Sequence, residues 1–325
     1  MTRPDMGERP AAEAEADPAA GDGVVLCVGE ALIALTPIRG SLRHAAQLSV
    51  SAAGAELNVA VHLARQGIRA RFAGRVGDDP FGQRLRDVLR LEGVDDGPLE
   101  VDPDLPTGVY AKDPAATGTA VLYYRRGSAA TRMRTLPPGA LNAVDLVHLS
   151  GITPALSPEC DALVAGLLDA PGLVTSFDVN YRPGLWPAAE AAPRLLELAL
   201  RAGTVFVGLD EAARLWDVAT PADVRALLPG VAELIVKDSS IEATAFTPEG
   251  TWVEPALLVE VVEPVGAGDA FAAGYLSTRR RGKSAVAALR RGHALAAQVL
   301  TSHSDTGPPR DRALPTTDAR HAPAD

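Results

Sequence analysis

The chain has 325 residues, 47% of them hydrophobic, and its formal net charge at pH 7 is −10. This length and hydrophobic content suffice for one large α/β domain or two smaller ones with a substantial core. An acidic chain without a long basic run does not favour nucleic acid as a partner.

No apolar stretch is long enough to predict a membrane-spanning helix, so we expect no membrane partner. The acidic, Ala/Pro-rich N-terminus does not have the pattern of a signal peptide. The two cysteines, Cys27 and Cys160, are far apart, which gives little support to a disulfide or a bound metal. These features together predict a cytoplasmic protein.

Composition divides the chain into three parts. Residues 1–22 and 306–325 are predicted to be a disordered N-terminal extension and a disordered C-terminal tail, and residues 23–305 the folded domain. Within that domain, strand-like and helix-like segments alternate, which predicts an α/β fold with a mainly parallel central sheet flanked by helices. The predicted strands are Val24–Val28, Arg71–Val76, Val144–Leu149, Val174–Asp178, Val205–Val207 and Leu234–Val236, and the predicted helices Asn58–Gln66, Phe81–Leu91, Pro158–Leu168 and Ala188–Arg201.

Two segments interrupt this alternation. Residues 38–53 and 106–126 each contain β-prone stretches, and no helix is predicted within either segment. We expect them to form a small sheet apart from the main one, as a lid or a dimerisation sheet, although plain edge strands would fit the same pattern.

Candidate ligand-binding residues lie in and beside these segments. Tyr110 and Tyr123 offer a flat apolar face and a hydroxyl, a suitable combination for a sugar, and Arg125 follows closely. Gly54 would allow a ligand to approach the backbone, and Asn58 can both donate and accept hydrogen bonds. An ordinary β-ribbon and an ordinary helix cap would explain the same residues.

Other candidates follow predicted strands, whose carboxyl ends form the usual ligand-binding edge of an open α/β sheet. Arg182 comes shortly after Asp178 and is suited to a carboxylate or a phosphate. Lys237 ends an apolar strand, and Glu211 starts a helix. Each of these three would also fit a solvated surface.

The most informative stretch is 263–276. A strand-like run, Leu257–Val262, leads into the turn Gly266-Ala267-Gly268, and an apolar helix-like segment follows Asp269. Such a turn lets an anion approach backbone N–H groups at a helix N-terminus, and Asp269 could accept a proton there. A structural strand–helix turn with a capping Asp is the alternative. The stretch is neither GxxxxGK[ST] nor GxGxxG.

Together these motifs resemble the ribokinase-like (pfkB) carbohydrate kinases. Residues 54–67 and 74–82 are similar to the N-terminal signature of that family, and residues 263–274 to its C-terminal signature. Within the family, residues 107–110, 123–129, 148–156 and 178–182 are most similar to those of 2-keto-3-deoxygluconate kinases.

The resemblance implies a ribokinase-like fold with a β-sheet lid, and phosphorylation by ATP with Mg²⁺. It implies that Asp269 is the catalytic base and that backbone N–H groups of Gly266, Ala267 and Gly268 stabilise the transferring phosphoryl group. It places Lys237 and His293 near the nucleotide and Glu211 near Mg²⁺ through water. The implied substrate-binding residues are Gly54, Asn58, Tyr110, Tyr123, Arg125 and Arg182.

Three positions depart from the family pattern. Glu263-Pro264 replaces the usual Asp-Thr, whose oxygens often help to hold a monovalent cation, so potassium dependence is left open. Gly208 replaces the Asn of an Asn-x-x-Glu motif that ends at Glu211. Residues 238–242 replace a Gly-x-x-Gly loop beside the nucleotide.

The function expected from the resemblance is ATP-dependent phosphorylation of the terminal hydroxyl of a sugar acid, foremost 2-keto-3-deoxygluconate, to give its 6-phosphate. One alternative is a neutral-sugar kinase of the fructokinase or ribokinase type. The other is a non-catalytic sugar- or nucleotide-binding protein. A homodimer formed through the β-lid is also expected by analogy with the family.

Overall fold

A computed structural model describes residues 23–115, 118–302 and 304–307. The predicted extension 1–22 and the predicted tail beyond residue 307 lie outside the described residues. The strands are β1 Val24–Val28, β2 Leu32–Pro37, β3 Leu48–Ala53, β4 Ala70–Gly77, β5 Leu99–Asp102, β6 Gly108–Ala115, β7 Gly118–Tyr124, β8 Val144–Ser150, β9 Thr175–Asp178, β10 Thr204–Gly208, β11 Glu233–Asp238, β12 Glu242–Thr247 and β13 Gly250–Pro255. The helices are α1 Ala55–Arg65, α2 Pro80–Leu91, α3 Pro158–Leu168, α4 Ala188–Ala199, α5 Leu209–Trp216, α6 Pro221–Leu227, α7 Ala267–Arg280 and α8 Ala285–Leu300.

The main sheet has the strand order β13-β12-β11-β10-β9-β8-β1-β4-β5. The strands from β11 to β5 in this order pair in parallel, and only β12 and β13 are antiparallel. Every residue of β1 is buried, as its continuous apolar run requires in the middle of a parallel sheet. The prediction of a mainly parallel α/β sheet is confirmed.

Helices cover both faces of this sheet and form two separate cores. One core joins α1, α2, α7 and α8 to residues such as Phe72 and Phe206. The other joins α3, α4, α5 and α6 to Phe177 and its neighbours. Each helix therefore buries an apolar side against one sheet face, and the carboxyl ends of the parallel strands meet at one edge between the two layers.

A second, four-stranded sheet has the order β3-β2-β6-β7, and we call it the lid. Strands β3, β6 and β7 fall within the two segments predicted to form a small sheet. The remaining strand, β2, comes from the apolar run that follows β1, which the sequence did not assign to the lid. Tyr110 and Tyr123 are directly paired across β6 and β7, so their side chains share one face.

One predicted strand is wrong. Residues 257–262 form no strand, and most of their side chains are exposed, Leu258 to 91%. The edge of the main sheet is instead extended by the hairpin β12–β13, so the following segment crosses to α8, where the Val262 N–H donates to the Leu300 carbonyl at 2.7 Å. Apolar composition alone could not distinguish a buried strand from an exposed loop.

Among the described residues, no helix combines the length and the apolar character needed to cross a bilayer.

The helix α7, which carries Asp269, packs closely on α8 through Gly274. A β-carbon at this position would lie 2.7 Å from the Arg291 carbonyl oxygen and 2.9 Å from the Gly292 Cα, which are backbone atoms that cannot move aside locally. We expect Gly274→Ala to lower the free energy of unfolding by about 1–3 kcal/mol, the usual cost of overpacking. Urea unfolding followed by circular dichroism measures this change.

Gly166 provides the matched control, because it lies inside α3 and a β-carbon added there would meet no neighbouring atom within 4 Å. There the same substitution should raise stability by up to about 1 kcal/mol through helix propensity. Equal effects at both glycines would contradict the close contact of α7 with α8.

Candidate active site

Asp269 lies in the first turn of α7, where the helix N-terminus points into a cleft. Gly266 caps this helix in a left-handed conformation, with φ of 88°, which glycine adopts without steric cost. A β-carbon at Gly266 would also lie only 2.1 Å from the Asp305 carbonyl oxygen. The Ala267 N–H donates to the Pro264 carbonyl at 3.3 Å, within the turn itself. The first-turn N–H groups of such a helix favour an anion.

The carboxylate of Asp269 is buried and held on both sides. Asn58 Nδ2 donates to Oδ2 at 2.8 Å, and Asn180 Nδ2 approaches Oδ1 at 3.4 Å. Burial raises the pKa of Asp269 to about 7; the hydrogen bond from Asn58 opposes this rise and the charge of Asp178 adds to it. An oriented carboxyl group with a pKa near neutrality is suited to accept a proton at physiological pH.

Asn180 was not predicted as a site residue, although it lies in the stretch that follows β9. It is buried and has a positive φ of 42°, an unusual conformation that Asn tolerates better than most residues. This conformation allows its amide to reach Asp269. The sequence signal was its place just beyond a strand carboxyl end, but the bend itself could not be read from the sequence.

A network of charges lies beside Asp269 on the side of β10 and β11. Lys237 Nζ is 2.8 Å from Asp178 Oδ2. Burial acts to lower the pKa of Lys237, but the charges of Asp178 and Glu211 outweigh it and the pKa is raised, so the ammonium stays charged. Arg182 NH1 lies 3.4 Å from Glu211 Oε1. Lys237 Nζ is also 3.5 Å from where a β-carbon at Gly268 would stand, so its charge faces the helix N-terminus.

Two cavities meet at Arg182 and the N-terminus of α7, where Gly266 lines one cavity and Ala267 and Gly268 line the other. The small cavity, of about 60 Å³, lies under the lid, and the large cavity, of about 570 Å³, lies between β11, α7 and α8. Arg182 lines both of them. A molecule in each cavity would therefore have its reacting group beside the N-terminus of α7.

All the residues predicted to bind substrate line the small cavity. They are Gly54, Asn58, Tyr110, Tyr123, Arg125 and Arg182, and Gly266 and Asp269 join them there. Arg125 is buried, with NH1 2.5 Å from Glu30 Oε2 and its guanidinium carbon 4.2 Å from the centre of the Tyr123 ring. Its Nε and NH2 have no hydrogen-bond partner among the described residues. Two nitrogens of a buried guanidinium are thus left to donate to a ligand.

Two carboxyl groups of the small cavity were missed from the sequence. Glu30 follows β1 at its carboxyl end, and Glu56 lies in the first turn of α1. Burial raises the pKa of Glu56 to about 7, although Ser150 and Thr153 donate to its Oε1 at 2.7 and 2.8 Å. Glu30 Oε1 and Glu56 Oε2 have no partner in the described part of the chain, so each can accept a bond from a hydroxyl.

Asp305 is a third carboxyl group of this cavity that was missed from the sequence, and it lies next to the predicted disordered tail. The Tyr110 hydroxyl donates to its Oδ2, and Lys112 Nζ lies 2.8 Å from its Oδ1. Burial, followed by the charge of Asp305, raises the pKa of Tyr110, so the hydroxyl remains a donor. No local sequence pattern marks Asp305, because only the folded chain brings it to Gly266.

All but one of the residues predicted to bind nucleotide line the large cavity. They are Lys237, Ala267, Gly268 and His293, and Glu211 lies beside them. The exception, Gly266, lines the small cavity. His293 packs edge-on against Phe271, with ring centres 5.1 Å apart, and burial lowers its pKa, so it presents a neutral ring. The loop 257–261, wrongly predicted as a strand, supplies an apolar wall opposite. This combination suits a nucleotide base and its phosphates.

Glu211 is the residue predicted to contact Mg²⁺ through water. Its Oε2 accepts the Gly208 N–H at 3.1 Å, and burial, followed by the charge of Asp178, raises its pKa. The described residues contain no group of three or more His, Cys, Asp or Glu side chains arranged to hold a metal. Asp210, Glu211 and Glu242 line the large cavity without forming such a group, which fits an ion that arrives with nucleotide phosphates and keeps most of its water.

A small cavity lined by hydroxyl, amide, carboxyl and guanidinium groups shares Arg182 and the N-terminus of α7 with a larger cavity, which is the arrangement of a sugar kinase on a ribokinase-like fold. Residues 23–312 match the model of the pfkB family carbohydrate kinases. The chain belongs to this family.

A curated relative supports the same class. The 2-dehydro-3-deoxygluconokinase of Thermoproteus tenax is 35% identical over 269 residues, which cover 78% of this chain and 82% of the relative.

Solved structures share the fold. A PfkB protein from Polaromonas sp. JS666 is 30% identical with a TM-score of 0.77, and the match covers 85% of this chain and 95% of that one. A fructokinase with bound ATP from Xylella fastidiosa is 26% identical with a TM-score of 0.77, and covers 87% and 94% respectively.

The raised pKa of Asp269 predicts the pH dependence of turnover. A general base acts when deprotonated, so kcat/KM should be low below a pH of about 7, rise through it and level off above it. Asn58→Ala removes the hydrogen bond that lowers this pKa and should move the midpoint to higher pH. Initial rates of ADP release measured across pH give both midpoints.

Glu56 also has a pKa of about 7 and serves as the control. The midpoint should remain in Glu56→Gln, whereas Asp269→Asn should lose turnover by at least about 100-fold with its melting temperature preserved. Asp87 is exposed, so Asp87→Asn serves as a control for the loss of a carboxylate away from the site. If the midpoint disappears in Glu56→Gln, the pH dependence belongs to Glu56 and not to Asp269.

Proposed function

We propose that this carbohydrate kinase transfers the γ-phosphoryl group of ATP to the terminal hydroxyl of a sugar acid, foremost 2-keto-3-deoxygluconate (also called 2-dehydro-3-deoxygluconate), giving its 6-phosphate. The observation that carries the proposal is the buried Arg125, with two unpartnered guanidinium nitrogens in a cavity that also holds polyol-binding groups. The similarity to a 2-dehydro-3-deoxygluconokinase supports the same substrate.

The carboxylate of the sugar acid pairs with Arg125. Glu30 occupies only NH1, so Nε and NH2 remain for a charge-assisted hydrogen bond. Tyr123 helps to hold the guanidinium through a cation–π contact. The unpartnered oxygens of Glu30 and Glu56 accept bonds from sugar hydroxyls, so the small cavity recognises a polyol that has one acidic group.

Phosphoryl transfer takes place at the N-terminus of α7. Asp269 removes the proton from the terminal hydroxyl as its oxygen attacks the γ-phosphorus, and the bond to the ADP oxygen breaks. The N–H groups of Gly266 and Gly268 and the helix dipole favour the negative charge on the transferring group, whereas the Ala267 N–H is held by the Pro264 carbonyl. Arg182 lies between the two cavities and steadies the same charge.

ATP occupies the large cavity, with its phosphates directed to Gly268 and Lys237. Mg²⁺ bound with the nucleotide would neutralise phosphate charge, and Glu211 is the residue placed to contact its water shell. The nucleotide base lies among the apolar side chains of the loop 257–261 and the α8 residues Ala296, Ala297 and Leu300. Asp238 and Ile241 close a tight turn with a 2.8 Å hydrogen bond, which places Ser239 and Ser240 at the cavity wall in the position of the expected glycine loop.

The substrate assignment predicts a charge-specific effect at Arg125. In a coupled ADP assay, 2-keto-3-deoxygluconate should be a better substrate than fructose or ribose. Arg125→Ala should lower kcat/KM for the sugar acid by about 10- to 100-fold more than for fructose, because only the acid loses a charge-assisted hydrogen bond.

Arg126→Ala is the matched control, because Arg126 is the next residue and is exposed. This substitution should leave kcat/KM unchanged for both the sugar acid and fructose. An equal loss for the acid and fructose would refute the carboxylate role and favour a neutral-sugar kinase. If sugar and ATP raise the melting temperature but no tested sugar leads to ADP release, the chain is a binding protein.

We also propose that the protein forms a homodimer through the lid. Leu122 and Tyr124 alternate with Tyr123 and so lie on the face opposite the small cavity, where both are exposed. Strands β3 and β7 are the outer strands of this sheet. An exposed apolar sheet face is suited to pack against the same face of a second copy.

Light scattering coupled to size exclusion should therefore give the mass of a dimer. Leu122→Glu should shift it to the monomer, because a carboxylate would be buried in the interface. Val174→Glu, at an exposed apolar position outside the lid, should leave the dimer intact. A monomeric unsubstituted chain would contradict the proposal.

A further inference from the structure

A fully buried lysine lies behind the N-terminus of α7. Lys112, on lid strand β6, is 0% exposed, and its Nζ lies 2.8 Å from Asp305 Oδ1 and 3.3 Å from Glu263 Oε2. Both carboxylates are themselves buried. We call these three residues the Lys112 cluster. A buried ammonium is costly unless it is paired, and here two carboxylates from distant parts of the chain pair with it.

The Lys112 cluster joins the three segments that shape the catalytic turn. Lys112 belongs to the lid, Glu263 begins the turn that leads into α7, and Asp305 belongs to the segment after α8. Glu263 Oε1 accepts the Val265 N–H at 3.3 Å, so this carboxylate organises the turn directly. The Asp305 carbonyl is in close contact with Gly266, the residue that caps α7. The ammonium therefore holds both groups that fix the anion-binding turn.

The charge of Lys112 also matters for phosphate binding. Glu263, Asp305 and Asp269 place three carboxyl groups around a helix N-terminus that has to receive a phosphoryl group. Without a cation among them, their negative charge would oppose an anion at close range in a medium of low dielectric constant. The Lys112 ammonium offsets part of this charge, and its covalent attachment to the lid keeps it in place.

The residues around this turn do not fit a bound monovalent cation. The resemblance to the family implies that such an ion is held by an Asp-Thr pair, but the Thr hydroxyl is absent at Pro264. The Glu263 carboxylate, which would be the charged ligand, already has an ammonium 3.3 Å from one oxygen and the Val265 N–H 3.3 Å from the other. A second cation at this carboxylate would be repelled by the first.

We propose that the Lys112 ammonium is a cation built into the chain that takes the place of a dissociable monovalent ion, so that turnover does not depend on potassium. Lys112 is in this sense a positioning residue, because it acts on the transferring group through Glu263, Asp305 and the turn they hold. The inference rests on the proposed kinase activity, although the binding of a cation can be measured without turnover.

The first test compares the unsubstituted protein in potassium and in tetramethylammonium salts at matched ionic strength. Both ADP release and melting temperature should be the same in the two salts. Activation of at least about tenfold by potassium, or a rise in melting temperature specific to potassium, would overturn the proposal. The melting arm gives its answer even if no tested sugar is phosphorylated, so failure of the function and failure of the cation inference are distinguishable.

The second test replaces the lysine. Lys112→Ala should lower kcat/KM by at least about tenfold in tetramethylammonium, because two buried carboxylates lose their counter-ion beside the phosphate site. Potassium or methylammonium should restore part of the activity and raise the melting temperature of this variant specifically. If Lys112→Ala loses activity only because packing is lost, a small cation would not restore the activity.

Lys283→Ala is the matched control, because Lys283 is exposed, and it should behave as the unsubstituted protein in every salt. A folded Lys112→Ala protein with unchanged activity, or one that responds to neither cation, would overturn the proposal. If this variant does not fold, the comparison of salts on the unsubstituted protein still decides.

Discussion

The burial of a carboxyl group at the N-terminus of a helix is the constraint on which the rest of this site depends. Asp269 is removed from water, and its pKa of about 7 reflects the cost of its charge there. Asn58 and Asn180 orient it, and Gly266 lets the chain turn tightly enough to leave the helix end open. A proton acceptor and an anion-binding site thus lie within the same helical turn, where an attacking hydroxyl and a phosphoryl group have to meet.

The charges around this turn follow one pattern. Arg125 pairs with Glu30, Lys237 with Asp178, and Lys112 with Asp305 and Glu263. Each of these buried or partly buried cations is held by a carboxylate from a different segment, which limits the cost of burying either charge. The same pairs fix the lid, the strand ends and the segment after α8 relative to α7. Arg125 differs from the other two cations, because part of its guanidinium is left unpartnered toward a ligand.

Much of the candidate site was predicted from residue type and position along the chain. The turn Gly266-Ala267-Gly268 and Asp269 could be identified because glycine-rich helix starts have a local pattern. Glu30, Asn180 and Asp305 were missed, because nothing local distinguishes them. Glu30 lies beside Arg125 only after the lid folds over β1, and Asn180 reaches Asp269 only through a backbone bend. The run Leu257–Val262 failed for the opposite reason, because its apolar residues line a cavity rather than a sheet.

The alternation of strands and helices, the parallel sheet and the two signatures of the family could all be read along the chain, since hydrophobic periodicity and glycine turns act over a few residues. Only the folded molecule shows which charged groups pair with one another and how the turn before α7 is held. Lys112, Glu263 and Asp305 are far apart in the chain, and neither their pairing nor their burial has a local signature. Electrostatic interactions depend on distance and dielectric environment, and both are set by packing. The departure at Glu263-Pro264, which the sequence left open, has a physical counterpart in the ammonium that faces it.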